Sequence, residues 1–247
     1  MKGVSSRQAS WNSHQNLDPE VLKSLGYSLR RYFVDEFHFR YVPDLRPGSL
    51  VLDLGGNRVG KRGSFNVEGY DLQVIYANLS VEKVPDVRTE ASSLPFRQNV
   101  FDGIICSELL EHVSSPPAVL RDIHRVLRPE GLLLICVPFL NRIHGDPYDF
   151  GRYTDHYWLE ALGSAGFSDI LIEKQGFFWC VLMDMIRDFA YQKTGAGGLS
   201  SQPVRRFIES AVYLGKKSAI AWDRSHAGGD TWHQSFTTGF GIKARKL

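Results

Sequence analysis

The chain has 247 residues, 43% hydrophobic and 23% charged, usage typical of a globular protein and unlike that of a disordered, collagen-like or coiled-coil chain. Its 29 basic and 27 acidic side chains nearly cancel to a formal charge of +2, a balance that marks neither a dedicated nucleic-acid binder nor a membrane-surface binder. This length suits one α/β domain with additional segments.

The stretch up to about residue 16 is polar and lacks the apolar core of a secretory signal. Asp18 and Pro19 then open a segment with apolar residues at helical spacing, Val21, Leu22, Leu25, Leu29, Phe33 and Phe37, which Pro43, Pro47 and Gly48 end. One or two N-terminal helices are predicted. The run SLVLDLGG is apolar and ends in glycines, and FDGIICS and GLLLICVPF are two more short buried runs. Between these two lies an amphipathic helix with Ser115 as N-cap, Pro116 at the first position, and a stripe of Val119, Leu120, Ile123, Val126 and Leu127; Pro129 and Gly131 are expected to close it. Thr154 caps a further helix that Gly166 ends, and FSDILIEKQ follows as a strand. Apolar strands separated by amphipathic helices predict an open, doubly wound α/β sheet with ligands beyond the carboxyl ends of its strands. From about Gly176 two helix-like segments, separated by GAGGLSSQ, precede a last strand in FTTGFGIKARK.

Cys106, Cys136 and Cys180 form no CxxC pair, and their odd number points to a reducing compartment. The longest apolar run, Leu132 to Leu140, is far short of the roughly 20 residues that a membrane span needs. A cytoplasmic protein with no transmembrane segment is expected.

The first chemical motif is VLDLGGNRVG, Val51 to Gly60. A strand ending in an acid and then glycines lets the backbone turn sharply and approach a bound nucleoside. Gly55, Gly56 and Gly60 nearly fit the dinucleotide fingerprint, but Asn57 stands where the middle glycine would meet a pyrophosphate, which disfavours a dinucleotide oxidoreductase. Later segments follow in a telling order: EASSLPF, FDGIICSELLEHV and VLRDIHRVLRPEGLLLICVPF.

Together these motifs, over roughly residues 49 to 174, resemble the S-adenosylmethionine-dependent methyltransferases of the type 11 domain family, which includes ubiquinone and menaquinone biosynthesis methyltransferases. The resemblance implies a Rossmann-like, seven-stranded, mostly parallel sheet whose last strand is antiparallel, with an N-terminal tail and helical segment over 1–48, the methyltransferase domain over 49–247, and a helical insertion over about 176–234. It implies S-adenosyl-L-methionine as cofactor, with Asp53, Gly55, Gly56 and Asn57 around its methionine part. Glu90 would receive the adenine amino group, with the amide of Ala91 near the ring, and Ser107 and Glu108 would face the cofactor. The acid expected to grip the ribose is replaced by Asn78, and Asp71 competes for that place. KRGSFNVEGYDL makes a poor amphipathic helix, so the first crossover is expected to be short or irregular.

PFLNRIHGDPYDFGRYTDHYW follows the fifth strand and crowds His144, Asp146, Tyr148, Asp149, Arg152, Tyr153, Asp155 and His156 into one loop. Histidine titrates near neutrality, so His144 is the candidate general base, with Tyr148 and Arg152 contacting the acceptor. An Asp149 and Arg152 pair that merely pins the loop is the simpler reading of those two. The loop also resembles those of methyltransferases of bacterial saccharide and cell-envelope biosynthesis. His112 reads equally as structural or catalytic, and His14, His38, His124, His226 and His233 as surface or packing residues; no metal site is predicted. The predicted function is methyl transfer to a small-molecule or saccharide acceptor, with a hydroxyl as the expected methyl-accepting group and a cofactor-binding scaffold without turnover as the alternative. Nucleic acid is disfavoured as a partner and homo-oligomerisation is left open.

Overall fold

The computed structural model of the protein describes residues 19–145, 148–195, 201–229 and 231–247. Seven strands, β1 (Ser49–Leu54), β2 (Leu72–Asn78), β3 (Val87–Arg88), β4 (Phe101–Ser107), β5 (Leu127–Pro138), β6 (Phe167–Gln175) and β7 (Gly239–Lys246), form one sheet. Their order is β3, β2, β1, β4, β5, β7, β6. Pairing is parallel from β3 through β5, whereas β7 runs antiparallel to both β5 and β6. This is the expected Rossmann-like sheet with an antiparallel last strand. The chain departs in opposite directions from the neighbours β1 and β4, which makes their carboxyl edge a topological switch point, the usual place for a ligand.

Among the described residues five α-helices accompany it: α1 (Leu29–Tyr41), α2 (Pro116–Val126), α3 (Asp155–Ser164), α4 (Phe178–Gly195) and α5 (Gln202–Ser225). Alternation along the strands sends successive side chains to opposite faces. Ile104, Leu133 and Ile135 meet Val119, Leu120 and Ile123 of α2 and Trp158 and Leu162 of α3. Ile105, Leu132, Leu134 and Cys136 meet Val34 and Phe37 of α1 on the other face. The N-terminal helix is thus integral to the covering of the sheet. Its amino end is capped twice: Ser28 Oγ accepts from the Arg31 amide at 3.0 Å, and the Asp184 carboxylate on α4 accepts from the Leu29 and Arg30 amides at 2.9 and 3.0 Å.

The first crossover, from Gly55 to Asp71, holds one short 3-10 turn, Val67–Gly69, and no α-helix, as the sequence suggested. Phe65 of this crossover lies against His38 and Phe39 of α1 instead. The end of α2 differs from the expectation. The helix stops at Val126 and β5 begins at once, so Pro129 and Gly131 belong to the strand. Pairing with β4 jumps from Phe101↔Leu127 to Gly103↔Leu132, and the excursion between them accommodates a proline that cannot donate to a ladder. Ser115 occupies the N-cap position but makes no side-chain cap bond.

Helices α4 and α5 lie between β6 and β7 in the chain and pack on each other and on the N-terminal segment, with Leu22, Leu29, Phe33, Cys180, Ala219 and Ile220 at the centre. The Asp223 carboxylate on α5 accepts from the Phe177, Trp179 and Cys180 amides at the start of α4. An apolar cavity of about 370 Å³, lined by Trp179, Met183, Ile186, Gly215 and Trp222 among others, opens between the two helices. Among the described residues no helix is long and apolar enough to cross a membrane.

Candidate functional site

Asp53 stands near the carboxyl end of β1, beside Ile105 of β4 and Tyr76 of β2. The chain then turns through Gly55, whose φ of 81° favours glycine. At Gly56 a Cβ would lie 2.2 Å from the Asp53 carboxylate, so this position has no room for a side chain. Asn78, the last residue of β2, holds the turn: its amide donates to the Gly55 and Gly56 carbonyls at 2.9 and 3.1 Å, and its oxygen accepts from the Ser80 amide at 3.0 Å. Burial pushes the Asp53 carboxyl up to about 7, against the opposing pull of Lys61. Asp71 precedes β2 at its amino end and is exposed, so it lies at the opposite edge of the sheet from this turn.

Asn57 is half-buried at the same turn. Glu90 is exposed and opens a turn in which its carbonyl accepts from the Ser93 amide, while Ala91 packs against the core. Helix α2 fixes this segment, because Arg125 donates to the Leu94 and Phe96 carbonyls and Asp122 accepts from the Leu94 amide. The structure thus sets Asp53, Gly55, Gly56, Asn57 and Asn78 on one edge, with Glu90 and Ala91 on the segment after β3.

At the end of β4, Ser107 Oγ and His38 Nε2 are 2.8 Å apart. Burial, reinforced by Arg31 and Arg30, lowers the His38 pKa to about 3, so the bond joins neutral groups. Glu108, at a φ of 53°, turns its carboxylate to Arg30 of α1, with Nε and a terminal nitrogen at 3.1 and 2.6 Å. Arg30 also donates to the Gln175 side chain at the end of β6. Burial opposes ionisation of Glu108, but Arg30 and Arg31 outweigh it and hold the carboxyl below its ordinary value. The sequence reading missed this contribution of the N-terminal helix. A polar pair in an otherwise apolar stripe, Arg30 and His38, was the available signal.

Glu111 is 2% exposed, and neither of its carboxylate oxygens has a hydrogen-bond partner. Burial, and then the charge of Glu108, raise its carboxyl to about 8. His112 follows it and turns Nδ1 to the Tyr148 carbonyl at 2.7 Å.

The loop after β5 is built around Asp149. Its carboxylate accepts from the His144 amide at 2.8 Å and pairs through both oxygens with Arg152. Those hydrogen bonds hold Asp149 at about 2, against burial. Arg152 also donates to the Arg142 carbonyl at 3.2 Å, so it is engaged within the loop. His144 Nδ1 lies 3.1 Å from the Arg142 carbonyl, and its ring stands perpendicular to that of His112, centroids 5.1 Å apart. Tyr148 is 65% exposed, and its contact with the rest of the site is through its carbonyl. Arg142 pairs with Asp188 at 3.1 Å, which ties the loop to α4. Asp146 of this loop, and His14 in the N-terminal stretch, lie outside the described residues.

Residues 57–135 match the family model described as a methyltransferase domain. The demethylmenaquinone methyltransferase of Mycobacterium tuberculosis (strain H37Rv) is 36% identical over 96 residues, 36% of this chain and 41% of that protein. The ubiquinone/menaquinone biosynthesis C-methyltransferase UbiE of Vibrio cholerae is 34% identical over 109 residues, 36% of this chain and 41% of that protein. The chain thus spans well under half the length of the curated relatives it matches. In fold it is similar to the [4+2]-cyclase SpnF, with a TM-score of 0.56, 22% identity, and coverage of 88% of this chain and 81% of that one. A SAM-dependent methyltransferase from Archaeoglobus fulgidus gives 0.54, 18%, 87% and 94% for the same quantities. The type 11 resemblance read from the ordered motifs and the fold it implied both hold.

Proposed function

We propose, from the methyltransferase domain that the chain carries, that the protein is an S-adenosylmethionine-dependent methyltransferase acting on a small-molecule or saccharide hydroxyl. The observation that carries this reading is the glycine turn closed onto a half-buried acid: Gly56 has no space for a Cβ, and Asp53 holds a carboxyl near 7 for want of a strong cationic partner. Such a group suits the ammonium of an amino acid, whose charge would draw the proton off Asp53. When bound, S-adenosylmethionine supplies an electrophilic methyl group on a sulfonium, transferred in line to a nucleophile.

In this reading Asp53, Gly55, Gly56 and Asn57 hold the methionine end. Asn78 acts chiefly by fixing the turn, since its amide is engaged with two carbonyls, and one acceptor lone pair remains for a ribose hydroxyl. Glu90 and Ala91 flank the adenine, and Ser107 and Glu108 face the cofactor from β4. His144 is placed to take the acceptor's proton, with Tyr148 on the open side of the loop and Arg152 holding the loop through Asp149. The similarity to proteins named as C-methyltransferases favours carbon as a second reading of the acceptor atom, although it covers 36% of this chain. In the remaining reading, a scaffold, the chain binds the cofactor without turnover.

Calorimetric titration with S-adenosylhomocysteine tests the proposal. Absence of binding at high micromolar concentration overturns it, and binding with no methyl transfer to any hydroxyl or carbon acceptor favours the scaffold.

A further inference from the structure

Glu111, His112 and His144 come together from two loops that the sequence keeps apart, after β4 and after β5. One donor atom from each lies within 4.8 Å of the other two. We propose that these three side chains bind a divalent transition-metal ion, zinc or a neighbour of similar preference, at the acceptor side of the site.

The arrangement of protons supports it. A backbone carbonyl only accepts, so the nitrogen facing it must carry the hydrogen. His112 Nδ1 meets the Tyr148 carbonyl at 2.7 Å, and His144 Nδ1 meets the Arg142 carbonyl at 3.1 Å, with Arg152 farther from the same nitrogen at 3.4 Å. In the neutral His112 ring Nε2 therefore presents a lone pair, the shorter carbonyl contact favours the same tautomer in His144, and a carbonyl orienting the far nitrogen is the usual support of a metal-binding histidine. His112 Nε2 is 3.6 Å from Glu111 Oε1. Two ligands on a tetrahedral ion with bonds of about 2.0 Å stand about 3.3 Å apart, so a small closure would seat an ion.

The second observation is Glu111 itself. Its side chain is 1% exposed, and both oxygens lack hydrogen-bond partners. Buried carboxyl groups without partners are rare because leaving the solvent is costly for them, and a cation between Glu111 and the two rings would supply the missing partner. Side-chain exposures of 12% for His112 and 28% for His144 leave an entry path from solvent. Two imidazoles and one carboxylate suit zinc, iron(II) or cobalt(II) rather than calcium or magnesium. Three protein ligands also leave a position open for an oxygen of the acceptor. That last role rests on the methyltransferase reading, whereas ion binding does not. With an ion in place His144 would be a ligand and not the base: the ion would make a bound acceptor oxygen more acidic, and the proton would pass to solvent.

The test is a titration of the full chain, stripped with a chelator, with Zn²⁺ by calorimetry and with Co²⁺ by visible absorption. One ion per chain is expected, with a cobalt d–d band. His144→Ala and Glu111→Gln should each weaken binding by at least about tenfold. His144 lies on a surface loop, so its variant remains informative if Glu111→Gln fails to fold. No saturable binding, or binding that both variants retain, overturns the site. Titration with S-adenosylhomocysteine runs alongside. Ion binding without it supports the metal site and overturns the functional reading, and the reverse overturns the metal site alone.

Discussion

Arg30, near the start of the N-terminal helix α1, sets its guanidinium 2.6 Å from the carboxylate of Glu108 at the end of β4. The two are 78 residues apart in sequence, with side-chain exposures of 4% and 17%. Arg30 also reaches Gln175, so one side chain joins α1 to β4 and β6 at the carboxyl edge of the sheet. Arg30→Met leaves the Glu108 charge buried without its partner, and such breakage costs about 3–5 kcal/mol. Urea unfolding of the variant should show a loss of that order. A loss below 1 kcal/mol would mean that the pair is already solvated.

Asp53 gives a pH signature. Its folded-state carboxyl is raised to about 7, well above the ordinary value of 3.8, so below neutrality it is protonated. Binding an ammonium requires the ionised form. Affinity for S-adenosylhomocysteine should therefore rise about tenfold per pH unit up to 7 and level off above 8. Asp53→Asn should flatten the profile and lower its plateau. Calorimetry over the range from about pH 5.5 to 8.5 measures both. The same shift works against the fold as pH rises, because the folded state holds a proton between 3.8 and 7 that the unfolded chain releases.

The glycine turn and the sheet were legible in the sequence because their signals are local. Gly55 and Gly56 follow directly on the acid that they turn around, and the strand runs and the stripe of α2 show their periodicity within one window. The loops after β4 and β5 were legible residue by residue but not as a constellation. His112 and His144 were singled out separately, yet nothing in their 32-residue separation says that their rings stand perpendicular at 5.1 Å. Glu111 and Arg30 were missed for a different reason. Each sits where the pattern calls for an apolar residue or a plain turn, and their meaning comes from burial that tertiary packing alone creates. The end of α2 was misread because proline and glycine usually stop helices, whereas here they mark the excursion in β5.

Lys216 fastens the helical insertion to the N-terminal segment. It is fully buried on α5, and its Nζ donates to the Leu22, Ser24 and Tyr27 carbonyls at 3.0, 2.8 and 2.7 Å. Methionine matches its length but offers no donor, so Lys216→Met leaves three carbonyls without this donor. A stability loss of about 2–4 kcal/mol is expected, together with faster proteolysis ahead of α1. Thermal unfolding and limited digestion check the two parts, and an unchanged midpoint would refute the assigned role.

His144 offers the sharpest separation of chemistry from binding. It lies on the loop after β5 and not on the glycine turn, and its main chain and Nδ1 are held by Asp149 and the Arg142 carbonyl. His144→Ala should lower turnover by about 10²–10³ and leave S-adenosylhomocysteine affinity within twofold, whether Nε2 meets the acceptor directly or through an ion. Asp149→Asn should act more weakly and in another way. It loses the charge-assisted grip on Arg152 and loosens the His144 amide, so the loop positions the acceptor less well and KM rises more than kcat falls. Steady-state kinetics on a reactive acceptor distinguishes the two patterns. Equal losses in both variants, confined to kcat, would assign the whole loop to positioning of the ring, whereas full activity in His144→Ala would move the acceptor's proton to another group.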